Sequence, residues 1–484
     1  MIPSAHIDTF ARDNLPPQSQ WPEFLFTLPE LQYPDRLNCV REFVDRWVEA
    51  GEGGRIAVVG PDATWTYAQL YERINRIANV LTRDLGMVPG NRVLLRASNS
   101  PMAIAAYLAV IKAGGVMVAT MPLLRAKELA YPVTKAKIAL ALCDARLTEE
   151  MEKTKTLAPD LKRVVYWGTK GFDDLEALMD KPGYENFQAC DTALDDVCLI
   201  AFTSGTTGEP KGTMHFQRDM LASADSFSHY LLQPDKNDRF IGSAPLAFTF
   251  GLGGHVLFPF RVGAATIQLE RTTPEDLLSA IAKYRATICF TAPTAYRAMA
   301  AEASKHDISS LRKCVSAGET LPRQVFEMWE KATGIRLMDG LGGTEVMHIY
   351  VCAKPEAMKP GKTGVAVPGY VVRVVDDSGN EVPRGTPGHL ALRGPTGCRY
   401  LADSRQTKYV RGGWNYPGDT YIQDEDGYFV YQARSDDMII SAGYNSAGPE
   451  VESVLLTHPA DAECGVVGAP DEERGHLVKA YVVL

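Results

Sequence analysis

The chain of 484 residues has a formal net charge of −9, is 45% hydrophobic and 23% charged, and can bury large cores; single cores stop growing near ~250 to 300 residues, so more than one unit is expected. Lysine and arginine are scattered and form no basic stripe, which argues against nucleic acid as a partner. Nine cysteines stand singly at 39, 143, 190, 198, 289, 314, 352, 398 and 464, the usage of a reducing cytoplasm, and the first residues have neither a basic nor an apolar leader.

In chain order, residues 1–35 carry Pro16-Pro17, Pro22, Pro29 and Pro34 among aromatics, the pattern of an irregular arm laid over the body. Residues 38–50 have the apolar spacing of an amphipathic helix. Residues 55–59 and 64–66 read as a strand pair around Gly60-Pro61-Asp62, and 67–85 as a long helix. Strands and helices then alternate through 92–95, 102–112, 116–119, 126–136, 138–143 and 164–167, the rhythm of a mostly parallel sheet. The apolar run at 102–124 is broken by Lys112, Gly114-Gly115 and Pro122, whereas a membrane span needs roughly 20 unbroken apolar residues; it reads as a core helix and a strand, and no membrane contact is expected.

The buried-strand pattern Val197-Cys198-Leu199-Ile200-Ala201-Phe202 feeds a loop rich in hydroxyls and glycine, Thr203-Ser204-Gly205-Thr206-Thr207-Gly208-Glu209-Pro210-Lys211-Gly212. Open α/β sheets bind ligands at such strand ends. Glycine lets backbone N–H groups face an anion, the hydroxyls add neutral donors, and Lys211 adds a charge suited to a triphosphate. It is not the Walker loop, because Lys211 stands between Pro210 and Gly212. On composition alone a plain surface turn remains open. The α/β rhythm resumes through 216–232, 239–243, 252–260, 265–269, 274–284, 288–290, 293–303 and 313–316, giving two α/β lobes that meet near residue 190. From about 360, short alternating runs at 371–375, 389–393, 421 and 428–430 predict a small β-rich lobe, and a last unit opens with a helix at Gly448-Pro449-Glu450 and strands at 463–467 and 477–484.

A second loop, Asp339-Gly340-Leu341-Gly342-Gly343-Thr344-Glu345, sets a hydroxyl and a carboxylate beside glycines at another strand end. Alone it reads more readily as a helix N-terminus with an acidic residue set against its dipole. Joining two anions requires a cation held by a hard oxygen ligand, which makes Glu345 a candidate Mg2+ ligand and Thr344 a phosphate donor. Other motifs are Ser316-Ala317-Gly318-Glu319, Trp414-Asn415-Tyr416-Pro417-Gly418-Asp419, Ala433-Arg434-Ser435-Asp436-Asp437 and Ser441-Ala442-Gly443-Tyr444. The plain alternatives are a strand-to-helix turn for the first, an exposed Gly-Asp turn for the second and a solvated charged turn for the third. Pro245-Leu246-Ala247-Phe248-Thr249-Phe250-Gly251 reads either as core packing or as a slot for a flat ring, made by Phe248 or Phe250 with Gly251 and the flat faces of Gly342 and Gly343; His348 is a polar candidate beside it.

Together these strings resemble the adenylate-forming superfamily of acyl- and aryl-CoA ligases, luciferases and peptide-synthetase adenylation domains. The opening Ser4-Ala5-His6-Ile7-Asp8, Met214-His215-Phe216 and Asp339-Gly340-Leu341-Gly342 look most like 2-aminobenzoate-CoA and benzoate-CoA ligases. The resemblance implies an α/β, multi-lobed fold. Its N-terminal adenylation body spans 1–433, with sub-lobes at 35–190, 191–360 and 361–433, and a small mobile α+β lobe begins at 434–484. It implies ATP bound by Thr203 to Gly208, Lys211, Ala317, Gly318, Glu319, Asp339, Gly340, Leu341, Gly342, Thr344, Asp419 and Arg434, with Mg2+ on Glu345 and coenzyme A as co-substrate. Asp436 would be the hinge and Gly443 would line the thiol tunnel.

The family usually carries an aromatic near Leu341 and threonine where Pro417 stands; both differ here. Nothing like its Pro-x-x-x-x-Gly-Lys context follows Ala469-Pro470, so the reading expects an incomplete C-terminal lobe and slow adenylation. The implied reaction is ATP-dependent aryl-CoA synthesis from a small aromatic carboxylate by a cytoplasmic enzyme, with a homodimer left open. A medium-chain acyl-CoA synthetase and a non-catalytic nucleotide-binding protein share the same loops.

Overall fold

The computed structural model describes residues 2–169, 171, 173–203, 209–434, 439–441, 444–446, 448–456, 458, 463–471 and 475–483. Two of its longer helices begin where the sequence supplies acceptors for their free N–H groups. Thr66 and Gln69 cap helix Tyr67–Asn79 reciprocally, Thr66 accepting from the Gln69 amide at 3.3 Å while the Gln69 side chain accepts from Thr66 N at 3.0 Å. Ser100 accepts from Ala103 N at 3.2 Å ahead of Pro101, which opens helix Pro101–Lys112. That helix is apolar on every face because it is enclosed on every face, and it packs against Tyr67–Asn79.

In chain order the body's strands are β1 (Ile56–Val59), β2 (Thr64–Thr66), β3 (Arg92–Arg96), β4 (Val116–Thr120), β5 (Leu140–Asp144), β6 (Arg163–Trp167), β7 (Val197–Thr203) and β8 (Lys211–Phe216). After them come β9 (Arg239–Gly242), β10 (Ala265–Ile267), β11 (Ile288–Thr291), β12 (Lys313–Ala317), β13 (Leu337–Gly342), β14 (Ile349–Cys352) and β15 (Val365–Ala366). One sheet has the order β6-β5-β3-β4-β7-β8, parallel except for its last pair; the other has the order β15-β14-β13-β12-β11-β9-β10-β1-β2. The division near residue 190 therefore separates the sheets only in part. The β1–β2 ribbon joins the second sheet through β10, and β7–β8 joins the first through β4. Periodicity locates strands but not their neighbours, which tertiary packing selects.

A third, β-rich lobe holds β16 (Val371–Val375), β17 (Gly388–Arg393), β18 (Val410–Arg411), β19 (Trp414–Asn415), β20 (Asp419–Gln423) and β21 (Phe429–Arg434). Its segment at 399–401 adds to the free edge of β8: Met214 N donates to Arg399 O and Leu401 N to Gly212 O, both at 2.8 Å. The last unit is α+β, with β22 (Ile439–Ser441), β23 (Tyr444–Ser446), helix Gly448–Leu455, β24 (Glu463–Asp471) and β25 (Gly475–Val483).

The N-terminal arm is irregular as expected, held by contacts such as Ala5 N to Asp196 at 3.0 Å and Leu25 N to Gly394 O at 2.9 Å. Helices Thr148–Leu157 and Arg323–Thr333 lie outside the expected set; each buries a narrow stripe, Met151 with Thr154 and Val325 with Phe326 and Trp329. The nine cysteines are free thiols, and no helix among the described residues is long and apolar enough to cross a membrane.

Candidate active site

Two strand ends and one hairpin build the site. After β12, Gly318 turns with φ +90°, a left-handed conformation that glycine takes without strain. The segment expected as a loop after residue 338 instead continues β13 through Gly342, because Leu341 and Gly342 pair with β14. Gly318, Glu319, Asp339 and Leu341 on this side face Asp419, Tyr421 and Tyr431 of the third lobe across a cleft of about 260 Å³. Ala317 lies buried at the end of β12.

Asp339 is buried, and burial pushes its carboxyl well above the usual range against an opposing hydrogen bond from Thr363. A neutral carboxyl donates as well as accepts. Asp419 is buried at the head of β20, and the backbone of Arg434 lies opposite it across the β20–β21 ladder. Past an irregularity between Thr420 and Tyr421, where the register shifts by one residue, the ladder sets Tyr421 against Tyr431, rings 5.4 Å apart and edge to face. These two rings give the cleft the aromatic surface that Leu341 does not. The hairpin turn between β20 and β21 fixes that register, and counting back from it would have paired them.

At the other end, the expected ten-residue loop is the tip of the β7–β8 hairpin. Thr203 and Lys211 are register partners, so Lys211 is the first residue of the returning strand rather than a loop residue. Two glycines and a proline nearby disguised the strand start. Thr203 Oγ1 is buried and finds no hydrogen-bond partner among the described residues. Ser204, Gly205, Thr206, Thr207 and Gly208 lie outside the described residues, as do Asp436 and Gly443; for Arg434 the backbone alone is described.

Lys211 Nζ lies 3.5 Å from Oε1 of Glu345 and 5.0 Å from the centre of the Tyr400 ring. Tyr400 donates its hydroxyl to the same Oε1 at 2.6 Å. Glu345 and Thr344 sit on a short helical turn, Thr344–Val346, and His215 Nε2 donates to Thr344 O at 2.8 Å. No group of three or more His, Cys, Asp or Glu among the described residues forms a metal cage. A single carboxylate suits Mg2+, which keeps waters and takes its remaining ligands from substrate phosphates. The chemistry of Glu345, with one oxygen held by donors and the other taking none of those bonds, fits that role.

A second cavity of about 280 Å³ opens between Phe248, Phe250, Gly343, Thr344 and His348. It shares Gly318 and Gly342 with the first cleft, so the two meet beside Thr344. His348 is 2% exposed, donates from Nε2 to Phe250 O at 3.4 Å, and burial holds its pKa at about 3. It is therefore a neutral wall at physiological pH, packed edge-on to Phe258 with ring centres 4.6 Å apart. Gly251 stands behind this wall rather than on it: a Cβ there would come 2.1 Å from Pro245 O. Between Thr344 and His348, Met347 has φ +73° and ψ −48°, and His348 N donates to Val346 O at 3.0 Å. This rare γ-turn stores strain at the bend that aims His348.

The profile of the AMP-binding enzyme family matches residues 44–400, and that of the AMP-binding enzyme C-terminal domain matches 450–484. Benzoate–CoA ligase of Thauera aromatica is 34% identical over 464 residues, covering 95% of this chain and 88% of that protein. The crystal structure of the anthranilate CoA ligase AuaEII in complex with anthranoyl-AMP superposes with a TM-score of 0.89 at 32% identity, over 94% of this chain and 88% of that one. The ATP-bound MatB structure from Rhodopseudomonas palustris gives 0.83 at 27%, over 92% and 88%. With a profile match across most of the chain and the motif residues gathered at one cleft, the chain belongs to the AMP-binding enzymes, the adenylate-forming superfamily near the aryl-CoA ligases, and is an AMP-forming acid–thiol ligase.

Proposed function

We propose that the enzyme joins coenzyme A to a small aromatic carboxylic acid, 2-aminobenzoate or benzoate, through an acyl-adenylate. The observation that carries this reading is the short apolar cavity of Phe248, Phe250 and neutral His348, which opens at Gly342 onto the cleft of Asp339 and Asp419. A flat ring fills such a slot, and its carboxylate then meets the nucleotide at Thr344. Gly318, Leu341, Tyr421 and Tyr431 receive the base and Asp419 the ribose. Lys211 and the 203–208 loop hold the outer phosphates, and Thr344 donates to the phosphate under attack. Mg2+ on Glu345 supplies charge neutralisation where the two anions meet.

In the first step a carboxylate oxygen bonds to the α-phosphorus, the bond to the bridging oxygen breaks, and pyrophosphate leaves. In the second step the C-terminal lobe turns about Asp436 and the thiol passes Gly443. The C–S bond forms, the C–O bond breaks, AMP leaves with the electron pair, and the thiol proton goes to solvent. The protein's share is positioning and electrostatics.

Two measurements test the acid. One is the rise in melting temperature caused by N-acylsulfamoyl-adenosines carrying benzoyl, 2-aminobenzoyl, 2-hydroxybenzoyl or hexanoyl groups, which needs no turnover. The other is CoA-dependent AMP formation with the four free acids. The expected order places benzoate and 2-aminobenzoate above hexanoate; preference for hexanoyl in both measurements would overturn the aryl assignment in favour of a medium-chain enzyme.

A further inference from the structure

We propose that Tyr400 is a positioning residue for the adenylation site: its hydroxyl holds Oε1 of Glu345 so that Oε2 faces the Mg2+, and it keeps Oε1 satisfied when Lys211 moves to the phosphates. The proposal rests on the ligase reading above and adds a residue that no motif brought forward.

Oε1 of Glu345 has two donors, the Tyr400 hydroxyl at 2.6 Å and Lys211 Nζ at 3.5 Å. The Glu345 side chain is only 12% exposed. A buried carboxylate oxygen that loses its partners costs more than a typical hydrogen bond returns. With Tyr400 in place, Lys211 can leave without stranding Oε1. Lys211 rests in a corner of negative ring faces, 5.0 Å from the centre of Tyr400 and 6.0 Å from that of Tyr409, a weak hold that a triphosphate outbids. On the other side, a Cβ at Gly343 would lie 3.8 Å from Oε2, so the glycine leaves that approach open.

Tyr400 is itself fixed. Its neighbour Arg399 is fully buried, ion-paired to Asp219, with its guanidinium 3.9 Å from the centre of the Phe216 ring. Tyr400 bridges to Thr213 of β8, the strand that Lys211 begins. Asp219 lies 3.7 Å from His215 Nδ1, and His215 grips the Thr344 carbonyl from Nε2. One dipeptide of the third lobe thus packs Asp219 beside His215, which holds the Thr344 carbonyl, and bonds Glu345 directly.

The test is Tyr400→Phe, which keeps the ring and removes the hydroxyl. Calorimetric titration of Mg2+ into protein saturated with α,β-methylene-ATP reads the metal site without turnover. Loss of an outer-shell partner should weaken Mg2+ binding by about 10- to 100-fold, with the Mg2+-free affinity for the analogue unchanged. In a Glu345→Gln background the same substitution should have no further effect, because the charged carboxylate that Tyr400 positions is gone. Equal Mg2+ affinity in wild type and Tyr400→Phe, or a full effect persisting in Glu345→Gln, overturns the positioning role. A wild-type protein whose binding of the analogue is indifferent to Mg2+ overturns the ligase reading itself.

Discussion

Acid should loosen this enzyme from beside the cavity of Phe248 and Phe250. His255 and His348 are both fully enclosed, and both are neutral by construction. His255 donates from Nε2 to Ala244 O and accepts at Nδ1 from Gln268, each at 3.2 Å, which uses up one donor and one acceptor. Burial lowers its pKa to about 4 and that of His348 to about 3. In the unfolded chain each titrates near ~6.5. Below that pH the unfolded state binds two protons that the folded state refuses, so the stability present above pH ~6.5 is lost as pH falls toward the folded values. Each histidine costs about 1.4 kcal/mol per pH unit, or about 2 kcal/mol between pH 6.5 and 5 and about 4 kcal/mol for the pair. The assay is the urea midpoint followed by tryptophan fluorescence from pH 7.5 to 5, in wild type and in His255→Gln/His348→Asn. The double variant should start lower and fall less steeply, the remaining slope coming from His6, whose pKa burial also lowers. Parallel pH profiles for the two proteins would refute the reasoning.

Lys112 has no exposed surface, bonds Asp45 at 2.8 Å and Asn75 at 2.7 Å, and ends the central helix. Lys112→Ala leaves Asp45 buried without its cation and should cost about 3 to 5 kcal/mol in chemical denaturation, whereas Lys112→Met combined with Asp45→Leu should recover most of that loss; a double variant no more stable than the single one counts against the charge argument. Gly342→Ala should weaken AMP and a free aryl acid together in separate calorimetric titrations, since its Cβ would meet His348 backbone atoms at 2.9 Å on the wall both cavities share. Loss of one ligand alone would make the cavities independent.

The strings read for chemistry were legible because glycine, hydroxyl and charge gather in them at or near strand ends, a mix that core packing does not explain. Glu345, Asp339 and Asp419 were singled out that way, and the structure sets Asp339 and Asp419 on one cleft. What stayed hidden depends on contacts distant in sequence. Tyr400 looks like any apolar residue of a β lobe until the third lobe's edge is laid along β8. Lys211 reads as a loop residue until Thr203 is set opposite it. His348 was visible as a polar residue, but only its enclosure by Phe227, Phe258 and Phe290 makes it a neutral one. Gly251 was legible as a special position, yet the backbone approach it permits faces Pro245 and not the ligand.

The exchange of strands between the two sheets also sets a timetable for the newborn chain. Val58 of the first hairpin pairs with Thr266, and at ribosomal speeds of about 5 to 20 residues per second that partner emerges roughly 10 to 40 s later. Until then β1 and β2 present an unpaired edge and the apolar Val58, Val59 and Trp65 to the cell. The β3–β6 run can pair meanwhile, since its strands follow one another closely. The second sheet closes over the longest chain separation of any strand ladder among the described residues, so the hairpin at residues 56–66 is the segment expected to need chaperone cover during synthesis and the first place to look for aggregation when expression is forced.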